Sequence, residues 1–244
     1  LRHAVPRGGA IDREGLAAAN TVVGNALGAA AIERYGPMAI RAVGGMVAIA
    51  DERGVVTMLD DGASAELAWD GARRVGYLAV DGGLDVPSFL GGRGTMLAIG
   101  RGGHEGRALR RGDRIAIGAP TDCGERCAFA DHDGPFGVVP GPDLDRLSAD
   151  AIDRLVHEAW RLDPRSDRVG TRLVGPVIAH ASARAITTPM IEGAIECPPD
   201  AGPIVLGAEH PTTGGYPVVA VVIERDLARF HRTPLGRTVR FVVV

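Results

Sequence analysis

Two arginines, a hydroxyl and a carboxylate crowd into Arg165-Ser166-Asp167-Arg168, behind Pro164 and ahead of Gly170. A guanidinium fork holds a carboxylate or phosphate through two parallel hydrogen bonds, so this spacing suits recognition of an anionic substrate. Asp167 could fix one fork or accept a proton. The same four residues would also make a solvated charged turn with an internal ion pair, and spacing alone leaves both readings open. A second cluster is Pro211-Thr212-Thr213-Gly214-Gly215-Tyr216-Pro217. Two hydroxyls followed by two glycines let the backbone approach a ligand and turn its N–H groups toward an anion. Tyr216 adds a phenol, one of three tyrosines in the chain. The competing reading is an ordinary hairpin loop.

Two further glycine loops are weaker. Pro6-Arg7-Gly8-Gly9 precedes a helix whose N-terminus could attract an anion, but it is no G-x-G-x-x-G fingerprint and no long strand leads into it. A dinucleotide site is therefore excluded. Gly82-Gly83, with Arg93 and Thr95 downstream, follows a strand pattern and fits a plain turn equally well.

Composition removes several chemistries. Every one of the 27 basic residues is arginine. Without lysine the chain cannot supply a Walker-type phosphate loop, a Schiff base or a biotinylated side chain, whether or not a GC-rich genome is the reason. A net charge of −3 argues against a nucleic-acid binder. The three cysteines are too few for a disulfide framework and suit a reducing cytoplasm. Cys123 and Cys127 beside Asp131 and His132 imitate a metal site, but no second ligand pair follows, so no metal is expected. The seven histidines are scattered, and no G-x-S-x-G elbow is present. The longest apolar run, Val218 to Ile223, is too short to cross a bilayer, so no membrane partner is expected. Leu1-Arg2-His3 does not open a signal peptide, and a further N-terminal segment is expected before it.

The elements that must carry these residues are mostly short strands. The 35 glycines and 16 prolines are about a fifth of the 244 residues, which disfavours a helical bundle. Asp12 to Val23 reads as a helix with an acidic N-cap. Strands are expected at Ala39 to Val43, Met46 to Ala50, Val75 to Val80 and Arg114 to Ile117. Gly118 to Pro135 is polar and proline-bearing and suits a linker, so a boundary is placed between residues 125 and 126. Beyond it come a strand at Phe136 to Pro140 and a helix capped by Ser148, with Ile152, Leu155, Val156 and Ala159 at helical spacing. Strands then follow at Ile204 to Leu206, Val218 to Ile223 and Thr238 to Val244, with a short helix at Asp226 to His231. The fold class is mainly β with a few helices, in two β-rich units.

Taken together these segments resemble the C subunit of the bacterial ATP-dependent 5-oxoprolinase, also called allophanate hydrolase subunit 2, and the carboxyltransferase region of biotin-dependent urea carboxylase. The likeness rests on Val5-Pro6 with Gly9-Ala10, on Ala19-Asn20 with Val23-Gly24-Asn25, and on Tyr77-Leu78-Ala79-Val80 followed by Gly82-Gly83-Leu84-Asp85-Val86-Pro87. It continues through Arg93, Thr95, Pro164-Arg165-Ser166-Asp167-Arg168 and Thr212-Thr213-Gly214-Gly215-Tyr216-Pro217. The resemblance implies a cyclophilin-like β-barrel for the C-terminal unit. It also implies a heteromer with B and A subunits, and ATP-driven opening of the lactam 5-oxoproline to glutamate, with no activity expected from this chain alone. ATP is implied as co-substrate, with Mg2+, bound on this chain or at an interface with its partner.

In that setting Arg165 and Arg168 are the expected contacts of substrate carboxylate or phosphate. Asp167 would orient them or act on the amide proton, with Tyr216 beside them. Ser166, Thr212, Thr213, Gly214 and Gly215 would hold oxygens, and Pro6, Gly9, Asn20, Gly82, Gly83, Arg93 and Thr95 are further binding candidates. The family favours glutamine where Glu196 and Pro211 stand, and if those glutamines touch ligand in relatives, substrate choice turns on these two positions. Two alternatives accompany this reading. One is a carboxyltransferase-like module acting on urea-type amides with biotin-bearing partners. The other is a non-enzymatic regulator that binds a B-type partner related to a kinase inhibitor.

Overall fold

The computed structural model describes residues 5–120, 133–181 and 187–244. The chain forms two compact units, Gly8–Ala130 and Asp131–Val244, the latter grouped with Leu1–Arg7. The boundary expected between residues 125 and 126 lies outside the described residues.

The first unit contains α1 (Arg13–Val22) and six strands: β1 (Ile32–Arg34), β2 (Met38–Arg41), β3 (Val47–Asp51), β4 (Val56–Leu59), β5 (Ser64–Leu67) and β6 (Gly76–Val80). An antiparallel sheet runs β1-β6-β3-β4, and β2 pairs with β5 in a separate ribbon. Asp12 caps α1 as its sequence predicts, accepting from the Gly15 N–H at 3.0 Å. Small residues on α1, Ala17 and Ala19, are buried. Tyr77 and Ala79 of β6 face Ile11 and Ala19, while Leu78 and Val80 pack on the other side with Ile49, Leu59 and residues of the ribbon. Covered on both faces, β6 is therefore a continuous apolar run. The buried Tyr77 hydroxyl accepts from the Asp12 N–H at 3.0 Å and donates to Glu33 Oε2 at 2.7 Å. Burial and the neighbouring Glu33 carboxylate hold this phenol well above its ordinary range. Arg114 to Ile117 is a correction: it forms no strand, only an isolated bridge from Ile117 to Leu84. Its side chains are mostly exposed and gain too little burial to hold a ladder.

The second unit contains β7 (Phe136–Pro140), α2 (Ala151–His157), β8 (Trp160–Leu162), β9 (Gly170–Val174), β10 (Thr188–Pro189), β11 (Ala194–Glu196), β12 (Ile204–Leu206), β13 (Thr213–Gly214), β14 (Val218–Val222), α3 (Glu224–Arg232), β15 (Thr238–Val239) and β16 (Phe241–Val243). Eight of these strands form one sheet in the order β15-β8-β9-β12-β11-β14-β7-β16. Thr238 to Val243 is one short stretch of chain that pairs with β8 through β15 and with β7 through β16. It thereby joins the two edges, and the sheet is a nearly closed barrel, as the cyclophilin-like expectation requires.

The core holds Trp160, Leu155, Phe230, Ile195 and Val219. Phe136 meets Phe230 edge to face, with ring centroids 5.3 Å apart. Helix α2 corrects the sequence reading at both ends. It begins at Ala151 after Asp150 rather than under a Ser148 cap, and it stops before Ala159. The cause lies in Trp160, whose buried indole N–H donates to the Leu155 carbonyl at 2.9 Å and turns the chain into β8.

Candidate ligand site on the C-terminal barrel

The arginine turn connects β8 to β9 and is locked by its own side chains. Buried Asp163, at the end of β8, accepts from the Arg165 backbone N–H at 2.9 Å and from its Nη2 at 2.7 Å. Arg165 holds the Asp163 carboxyl down at about 2, and its own guanidinium is raised in turn. The Arg165 side chain is nonetheless 83% exposed. The Ser166 hydroxyl donates to the Asp163 carbonyl at 2.6 Å and accepts from the Arg172 N–H at 3.0 Å. Asp167 Oδ1 accepts from the N–H groups of Val169 and Gly170 at 2.9 and 3.2 Å. Ser166 and Asp167 thus shape the turn that starts β9.

Arg168 points to different partners. Its Nε donates to Glu209 Oε1 at 2.7 Å, and its carbonyl accepts from the Glu209 N–H at 3.0 Å. Gly207 N–H donates to the Val169 carbonyl, and a methyl at Gly207 would fall 2.5 Å from the Arg168 carbonyl oxygen. The turn is therefore stitched to residues 207–210, directly ahead of the hydroxyl-glycine segment. Arg168 is thus held at Glu209, two residues ahead of that segment, whereas Arg165 makes its bonds to Asp163.

The hydroxyl-glycine segment is clamped along its length. Thr213 and Gly214 pair with Pro189 and Thr188, and the Met190 N–H donates to the Thr212 carbonyl at 3.1 Å. Arg146 Nη2 donates to the Gly215 carbonyl at 3.0 Å while its Nη1 meets Asp143 at 3.0 Å. Asp143 in turn accepts from the Val218 N–H at 2.9 Å, where β14 begins. Thr213 and Tyr216 are exposed, and Thr212 is half-buried.

Beneath Gly214 lies Glu196, 6% exposed. It ends β11 at a bulge in the pairing with β14, a local distortion that re-aims a side chain. A methyl at Gly214 would sit 2.6 Å from Glu196 Oε1 and 2.9 Å from Met190 Cε. Glycine leaves that carboxyl its place without displacing it. Burial alone pushes the Glu196 carboxyl above its ordinary range. Its surroundings, Met190, Ala194, Leu206 and Val218, form a small apolar cluster apart from the main core. Sequence reasoning singled out Glu196 only as a departure from the family. The available signal was a lone acid between apolar residues of a short strand, two positions from Ala194 and hence on the same face.

The remaining candidates fall elsewhere. The Asn20 amide donates to the Leu27 and Ala29 carbonyls at 3.2 and 2.9 Å, and its oxygen accepts from Asn25 at 3.0 Å. Asn25 also binds the Val80 carbonyl and the Gly82 N–H, so Asn20 and Gly82 are spent on fastening the end of α1 to the end of β6. A methyl on Gly82 would strike the Gly118 carbonyl, and the Gly83 carbonyl accepts from the Gly118 N–H. Gly9 lies against Gly94, and Thr95 lies against Gly103, so these loops of the first unit converge. Arg93 is half-exposed and 3.7 Å from Asp85. Pro6 belongs to the segment grouped with the second unit. Among the described residues no three His, Cys, Asp or Glu side chains cluster as metal ligands would. Cys123, Cys127, Asp131 and His132 lie outside them. Cys197 is a buried thiol that burial pushes up to about 12. No helix among the described residues is long and apolar enough to cross a membrane.

Comparison with known proteins fits this architecture. The family model "Carboxyltransferase domain, subdomain A and B" matches residues 3–243. The chain is 34% identical over 260 residues to the 5-oxoprolinase C subunit of Escherichia coli K12, covering 96% of this chain and 81% of that protein. The crystal structure of TTHA0988 superposes with a TM-score of 0.80 at 27% identity, over 98% of this chain and 50% of that one. The urea carboxylase of Kluyveromyces lactis superposes with a TM-score of 0.79 at 25% identity, over 99% of this chain and 25% of that one. This chain thus spans half, or a quarter, of the solved chains it matches. A barrel shared at this level and a match over nearly every residue place the chain in the carboxyltransferase domain family, subdomains A and B, as a homologue of the 5-oxoprolinase C subunit.

Proposed function

We propose that this chain is the C subunit of an ATP-dependent 5-oxoprolinase, acting in the cytoplasm with a B subunit to activate 5-oxoproline by phosphorylation and with an A subunit to open it to glutamate. The observation that carries this reading is the 34% identity to the 5-oxoprolinase C subunit over 96% of the chain. The chemistry of the site supports it. An unactivated lactam is a poor electrophile, and moving a phosphoryl group onto its oxygen demands positive charge and oriented donors. Arg168, fixed by Glu209 ahead of the loop, would meet a carboxylate or phosphate. Thr212, Thr213 and the Gly214-Gly215 backbone would hold oxygens. Arg165, 83% exposed, would act at the rim. These residues fit an oxyanion, so ATP would meet this chain through its phosphates, and Mg2+ would be held by those phosphates together with partner groups.

The test is 5-oxoproline-dependent ADP release by the complex of this chain with its B and A subunits. A second reading, a carboxyltransferase-like module for urea-type amides, is favoured by the likeness to urea carboxylase. Lacking lysine, this chain would need biotin on a partner, so dependence on a biotin carrier separates the two.

A further inference from the structure

We propose that Glu196 is the group that receives the N–H of the substrate amide, so that the site under Gly214 selects lactams and amides bearing a free N–H. This rests on the lactam reading above and adds to it the residue and the substrate class. Three observations converge on Glu196. It is more than nine-tenths buried, and among the described residues no donor or cation meets its carboxyl. A carboxyl with so little exposure gives up most of its hydration with no donor among the described residues in exchange, a cost that persists where a ligand completes the site. The bulge before it and the absent side chain at Gly214 let the carboxyl lie directly against the hydroxyl-glycine segment. Finally, Arg168 is bonded to Glu209, two residues ahead of the same segment, which brings a cation to the chain leading into the loop above Glu196.

An ionised carboxyl accepts hydrogen bonds and donates none, so it favours an N–H over a carbonyl or ether oxygen. The step it would assist balances. The bond from the γ-phosphorus to ADP breaks as a bond to the lactam oxygen forms. The carbonyl becomes C–O, the ring C–N becomes C=N, and the nitrogen proton passes to the Glu196 carboxylate. Burial makes that carboxylate a stronger base than a surface glutamate, which suits the transfer.

The test uses the chain assembled with its B and A subunits, as wild type, Glu196→Ala and Glu196→Gln. Alanine should lower kcat/KM for 5-oxoproline about 10- to 100-fold, the effect of one hydrogen bond to a charged group. Glutamine retains an acceptor oxygen but cannot take the proton, so KM should hold while kcat falls and the acidic limb of its pH profile disappears. Unchanged kcat/KM and pH profile in both variants, with the wild type active, would overturn the inference alone. Should the wild type show no 5-oxoproline turnover, the lactam reading fails, and calorimetric titration with 5-oxoproline and with urea decides the matter of Glu196. Binding by wild type that alanine loses supports the assignment. Equal binding by both, or none by wild type, refutes it.

Discussion

Replacing Gly214 by alanine while leaving Gly215 as a control isolates the space that the site depends on. The added methyl would land 2.6 Å from Glu196 Oε1, 2.9 Å from Met190 Cε and 3.1 Å from Met190 Cγ. Comfortable carbon contacts begin at roughly 3.5 Å, so these atoms must move by about half an ångström to one ångström. Overpacking of this kind costs about 1–3 kcal/mol. Both obstructing groups are ends of flexible side chains, which sets the expectation for Gly214→Ala at about 1 kcal/mol. At Gly215 nothing lies within 4 Å of the new methyl, and Gly215→Ala should stay within about 0.5 kcal/mol of wild type. Urea unfolding followed by tryptophan emission reads the second unit through buried Trp160. Adding Met190→Ala to Gly214→Ala should recover part of the clash, a coupling of about 0.5–1 kcal/mol in a double-mutant cycle. Equal midpoints for the two glycine variants, or additive effects with Met190→Ala, would refute this picture of the site.

Arg168→Ala strands the buried Glu209 carboxylate and should cost about 3 kcal/mol, the low end for removing one partner of a buried pair. Arg168→Ala with Glu209→Gln should recover most of that stability without recovering activity, as urea midpoints and turnover of the complex would report. The pH dependence of stability separates two carboxyls. Asp163 has its folded value held down at about 2, so its contribution is present above the ordinary value of 3.8 and is lost as pH falls from there toward 2. Asp163→Asn should abolish that acid loss in urea midpoints measured across the window. Glu196 is raised above 4.5, so its native state holds the proton longer and stability declines as pH rises through the interval above 4.5. Glu196→Gln should flatten that decline.

The parts of the fold legible in the sequence are those in which local pattern and burial agree. Asp12 announced α1 through its cap, and the apolar run ending at Val80 announced β6, because both faces of that strand are covered. Ala194–Glu196 was not legible, since an acid interrupts its apolar residues and it is a strand only because β12 and β14 flank it, whereas the equally short but wholly apolar Ile204–Leu206 was. The site followed the same rule. The clusters 165–168 and 212–216 stood out by residue type, yet their roles depend on partners distant in sequence. Asp163 takes Arg165, Glu209 takes Arg168, and Ser166 and Asp167 are absorbed by the turn itself. Asn20 looked like a ligand group because nothing local revealed that Asn25, Leu27 and Ala29 would use its amide. Glu196 carried no motif, and its lack of a donor among the described residues is a property of the packed barrel.

The proposed function is tested most directly by measuring ADP release and glutamate formation with this chain alone, with its B partner, and with B and A together, in the presence and absence of 5-oxoproline. No 5-oxoproline-dependent ADP release is expected from the chain alone. The complete complex should form glutamate in step with ADP, and that turnover should collapse on Arg168→Ala. ADP release indifferent to 5-oxoproline in the complete complex, or turnover of urea that requires a biotin carrier, would contradict it.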